Sequence, residues 1–133
     1  MLRLRKVLAI LLALTLFLPL TSSAARRSEP EELDRLIKKI NERQSKNLKE
    51  FEKKAKAYFF DTQKPETTEI LIKEFPPGEA VTVIVLSNLS KRSYKDIVAM
   101  KKAGKGWQDI TGQINVKLKD VVKEVKDFRL GIG

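Results

Sequence analysis

The first 25 residues decide how much of this chain is available to fold. Arg3, Arg5 and Lys6 precede an apolar run of fourteen residues, Val7 to Leu20, interrupted only by Thr15 and Pro19. Thr21, Ser22, Ser23, Ala24 and Ala25 follow, all small. Positive charge, apolar stretch and small residues in that order form the pattern of a cleavable secretory signal peptide. Ser22 and Ala24 suit the two shallow pockets of a signal peptidase, with cleavage before Ala25; Ser23 and Ala25 suit them one residue later. A spanning helix needs roughly 20 apolar residues, so the run is too short for an anchor. The expectation is a signal peptide over 1–24 and a periplasmic or secreted mature chain, with no stable membrane span after cleavage.

Of the 133 residues, 109 then remain, enough for one domain with a modest core. The full chain carries a formal charge of +10; losing Arg3, Arg5 and Lys6 leaves +7. Such a chain is drawn to anionic surfaces, although the same charge also serves solubility alone. Cys and His are both absent. That excludes a disulfide framework, a lipid-attachment cysteine, a thiol nucleophile and a Ser–His–Asp arrangement, and it removes the common transition-metal ligands.

Residues 25–63 read as one long amphipathic helix. Ser28 suits the N-cap, Pro30 the first turn, and Glu29, Glu31, Glu32 and Asp34 the positive end of the helix dipole. Leu33, Ile37, Ile40, Gln44, Leu48, Phe51, Ala55 and Tyr58 recur at steps of three and four, an apolar stripe weakened at Gln44. Acid-to-base pairs four residues apart decorate the other faces: Glu31–Arg35, Asp34–Lys38, Glu42–Lys46, Glu50–Lys54 and Glu52–Lys56.

A polar break, Asp61 to Thr68, separates this helix from a small helical domain over 64–133. Residues 69–89 admit two readings. Val81-Thr82-Val83-Ile84-Val85 favours a strand and, with Ile70-Leu71-Ile72 and the Pro76-Pro77-Gly78 turn, a hairpin. An isolated hairpin is barely stable in water, and no further strand is evident. The alternative is a short helix before Pro76 and a buried helix from about Gly78 to Leu89. Beyond it, Ser93 with Asp96 resembles a capping box, Gly104 a helix stop, and Trp107, Ile110 and Ile114 sit at helical spacing. Leu118, Val121, Val122, Val125 and Phe128 form a last stripe, and Leu130 to Gly133 reads as a frayed tail.

Three segments together carry a resemblance. They are Pro76-Pro77-Gly78-Glu79-Ala80 with its apolar continuation to Leu89, Ser93-Tyr94-Lys95-Asp96-Ile97-Val98, and Gly104-Lys105-Gly106-Trp107-Gln108-Asp109-Ile110. They are similar to a module of small secreted bacterial proteins with a Pro-Pro-Gly-Glu start and a glycine–Trp turn. The likeness covers about residues 70–116. It implies an all-helical C-terminal domain and therefore helix over 69–89; it implies no activity. Gln108 and Thr111-Gly112 depart from the pattern.

The fold class expected is all-α: a long N-terminal amphipathic helix followed by a three- or four-helix domain. The function expected is a non-enzymatic, exported protein-interaction module, binding another protein or a second copy through the long helix. Ile37, Ile40, Phe51 and Tyr58 are the candidate contacts. Trp107 either packs between its flanking helices or, beside Lys101, Lys102 and Lys105, offers an aromatic platform. No cofactor or metal is expected. The alternative is a basic protein that binds an anionic envelope surface or nucleic acid through the helix-turn-helix-like stretch Ile97 to Val125. The leader and the scarcity of Arg in the last helix count against nucleic acid. A third possibility, an enzyme using paired carboxylates, requires two acids converging in a cleft.

Overall fold

The computed structural model describes residues 27–133, and every regular element among them is a helix. The signal peptide and its cleavage residues Ala24 and Ala25 lie outside the described residues. In chain order the helices are α1 (Glu29–Gln44), α2 (Leu48–Tyr58), α3 (Pro65–Glu74), α4 (Pro77–Ser90), α5 (Tyr94–Lys102), α6 (Trp107–Gln113) and α7 (Leu118–Ile132).

The all-α class holds, but the described part of 25–63 is two helices rather than one. The start of α1 is built as its sequence dictates. Glu31 N–H donates to Ser28 Oγ at 3.4 Å, and Ser28 N–H donates to Glu31 Oε1 at 3.0 Å, a reciprocal capping box. Leu33, Leu36, Ile37 and Ile40 bury one face. The next position of that stripe is Gln44, where α1 ends. Asn47 then caps a new helix, its Oδ1 accepting from Glu50 N–H at 3.1 Å. An Asn side chain competes for backbone N–H groups and favours a helix start over a helix interior. The turn re-aims the chain, so that Phe51, Ala55 and Phe59 bury a fresh face. It also separates Glu42 from Lys46. Of the five expected ion pairs, Glu52–Lys56 forms, at 2.8 Å; Arg35 instead pairs with Glu32 at 2.8 Å, three residues away.

The ambiguous stretch is helical throughout, as α3 and α4. Inside α4, Ala80 to Ser87 is buried without interruption, so the helix is covered on all sides by α1, α2, α3, α5 and α7. Its β-branched run disfavours helix by up to about 0.7 kcal/mol per residue. Burying each Val or Ile returns roughly 1.5–3 kcal/mol in either conformation. What decides is the backbone: a helix satisfies its own N–H and C=O groups, whereas a lone buried hairpin leaves edges unpaired.

The start of α4 depends on α1. Pro76 and Pro77 provide no side-chain cap. Asn41 supplies one from across the interface: its Oδ1 accepts from Gly78 N–H at 2.7 Å, while its Nδ2 donates to Glu79 Oε1 at 3.0 Å. The helices touch here because Gly78 lacks a side chain; a Cβ would stand 2.5 Å from the Ile37 carbonyl oxygen.

Around this axis, α1 and α7 run in the same direction. Leu33 and Leu118 share a cleft near their starts, and Arg43 Nη1 donates to Gly133 O near their ends, at 3.4 Å. Helix α2 crosses α7 through aromatic rings. Phe59 stacks on Phe128 with centroids 5.3 Å apart, and Phe51 meets Phe128 edge-on at 6.1 Å. The ending expected to fray is helical to Ile132. One hydrophobic core takes side chains from Leu33 to Phe128 and so includes both the 25–63 stretch and the 64–133 stretch, the latter with five helices rather than three or four.

Candidate functional site

The candidate contact residues are mostly core. Leu33, Ile37, Ile40 and Phe51 are buried, so the stripe expected to receive a partner is already covered by α4 and α7. The periodicity was a true helix signal, but it cannot say whether the covering surface belongs to the same chain. Tyr58 is 39% exposed, its ring edge-on to Phe59 and Phe128. Burial of its hydroxyl, with Asp127 and Glu124 nearby, raises its pKa.

Trp107 differs from the other four. It is half-buried and lies on the wall of a cleft of about 540 Å³. The glycine turn positions it. Gly104 adopts φ +90, which L side chains rarely take, and reverses the chain after α5; Gly106 then begins α6 with Trp107 as first residue. Ile110 and Ile114, one and two turns on, anchor α6 in the core. Trp107 packs against the core and lines the cleft, and of the lysines near it in sequence Lys101 alone lines that cleft.

The cleft gathers first turns from several helices. Pro30, Leu33 and Asp34 come from α1, Glu79 from the first turn of α4, and Leu118 from the start of α7. Gly106, Gln108 and Asp109 flank Trp107, and Lys101 closes one side from the end of α5. The Lys101 ammonium sits 4.2 Å from the centroid of the Trp107 ring, within cation–π range. Asp34, Asp109 and Gln108 are exposed; Glu79 is half-buried and held by Asn41. The site therefore joins an aromatic face, three carboxylates and one ammonium in a single concavity.

Sequence reasoning missed the carboxylates as a group. Asp34, Glu79 and Asp109 are far apart in the chain, and each has an ordinary local explanation as an exposed or first-turn acid. Only the crossing of α1, α4 and α6 brings them to one place. The described residues hold no group of three or more His, Cys, Asp or Glu side chains spaced to bind a metal, and none of the described helices is long and apolar enough to cross a membrane.

No protein family matches the chain, and no curated protein or solved structure is found similar to it.

Proposed function

We propose that this is an exported, non-enzymatic interaction protein, periplasmic or secreted, that contacts its partner through the Trp107 cleft rather than through the stripe of α1. The single observation that carries this reading is the half-buried Trp107 on the wall of a cleft of about 540 Å³, beside exposed polar groups. Concave sites with an aromatic wall and a few convergent polar groups are where proteins take ligands and partner side chains. The leader pattern of residues 1–24 and the resemblance to small secreted bacterial proteins support export.

A carboxylate-pair enzyme is the weaker reading of the same cleft. Such chemistry relies on a site that excludes water, and Asp34 and Asp109 are open to it. Tyr58 lines a smaller concavity of about 390 Å³ with Lys54, Ala57, Gly131 and Ile132, which brings no carboxylate to it.

The test is photo-crosslinking in intact cells, with the reactive group placed at Gln108 on the cleft or, as control, at the exposed Lys49 at the start of α2. A discrete adduct from position 108 and none from 49 is expected, on a chain whose N-terminus by mass spectrometry is residue 25 or 26. Equal labelling from both positions, or full-length chain in the cytosol, would overturn the proposal. Adducts to lipid or nucleic acid that fade with added salt would replace it with electrostatic attachment.

A further inference from the structure

We propose that the Trp107 cleft selects a cationic group, an ammonium or guanidinium carried by the partner, and that Lys101 is the built-in occupant which such a group displaces. This rests on the reading of the cleft as the contact surface and goes beyond it by naming the chemistry recognised.

The first observation is the ring itself. Trp is the best aromatic acceptor of a cation, and its exposed face in the cleft already holds an ammonium, Lys101 Nζ, 4.2 Å from the centroid. Among the described residues Lys101 forms no ion pair, so the ring is the only partner that positions it. A flexible, half-buried side chain held in this way exchanges readily for another cation of the same kind.

The second observation is the sign of the cleft. The chain as a whole carries +10, yet the cleft is lined by Asp34, Glu79 and Asp109 against Lys101 alone. None of the three carboxylates is ion-paired among the described residues. The N-termini of α4 and α6, worth about half a positive charge each, offset part of this. The N-terminus of α1 is already met by Glu29 and its capping box, and that of α7 by Asp120. The balance at the cleft is about one negative charge on a strongly basic protein. An anionic partner is therefore attracted to the molecule but not to this cleft, whereas a cation is drawn into it and finds the ring.

The only Trp of the chain is its own reporter. Emission of Trp107 is followed while the mature protein is titrated with a blocked tripeptide bearing one lysine, with its norleucine and glutamate counterparts, and with ethylamine. The lysine peptide should shift the emission saturably, and the norleucine and glutamate peptides should not. Lys101→Met should tighten the lysine peptide by about two- to fivefold, the range of an exposed cation–π contact that no longer has a competitor. Asp34→Asn with Asp109→Asn should weaken it. Ethylamine acting like the peptide would assign recognition to the ammonium alone; a response to the peptide only would assign it to a lysine within a chain, and both support the proposal. Equal or stronger response to norleucine or glutamate, no response to any probe, or no gain in Lys101→Met would overturn it. If position 108 still crosslinks to a partner in those cases, cation selection falls and the contact surface stands.

Discussion

Asn41 and Gly78 show how much of this fold rests on single atoms. The Gly78 N–H has Asn41 Oδ1 as its hydrogen-bond partner, and the site is part-buried. Removing a partner from a buried donor costs about 1–3 kcal/mol. Asn41→Ala should lose about that much in urea unfolding followed by circular dichroism. Gly78→Ala should lose at least as much, because the added Cβ meets backbone, the Ile37 carbonyl, which cannot rotate away. Overpacking of this kind costs roughly 1–3 kcal/mol and sometimes more. An Asn41→Ala protein as stable as the parent would mean that α4 is not capped from α1. Neither role was legible in the sequence. Gly78 reads there as a turn residue after two prolines, and Asn41 as one polar position among many, because the contact that gives both their meaning spans 37 residues.

At the scale of the element, the ends of helices were more legible than their lengths. Ser28 is the N-cap that the sequence indicates, and the structure adds its reciprocal bond to Glu31; Asn47, which caps α2 through Glu50 N–H, stands inside a stripe whose spacing alone predicts continuous helix. Local capping overrode periodicity where Gln44 left the stripe without an apolar anchor. The Ser28 backbone N–H and hydroxyl hold the Glu31 carboxyl below the usual carboxylate range, and Lys56 does the same for Glu69. A depressed folded-state pKa stabilises fully above the unfolded value and is lost as pH falls through the folded value. Stability should therefore be flat near neutrality and decline on acidification below the ordinary carboxylate range. In Glu31→Gln that decline should be shallower, as thermal melts across pH would record. Where α2 crosses α7, Phe128 meets three aromatic rings. Phe128→Ala should cost about 3–5 kcal/mol, readable by the same unfolding curve. A loss under 1 kcal/mol would show that this crossing contributes little.

The described residues form a set of amphipathic helices closed around one apolar helix. Helices outside residues 69–89 were legible from spacing, whereas helix over 69–89 was expected only from the resemblance, since its β-branched run also suits a hairpin; the closure was not legible, since an apolar stripe looks the same whether its cover is a neighbour in the chain or a partner. This distinction carries the functional reading. If α4 and α7 cover Leu33, Leu36, Ile37 and Ile40 permanently, recognition falls to the cleft that their starts enclose, with Trp107 at its wall. Amide hydrogen exchange of the mature protein tests this most directly, because exchange reports the free energy of the opening that exposes each segment. Protection over Leu36 to Ile40 should match that over Val81 to Leu86 in α4 and Val121 to Val125 in α7, all opening together at the global unfolding energy. Exchange of α1 far ahead of α4 and α7 would contradict it, for the stripe would then be free to detach and dock elsewhere.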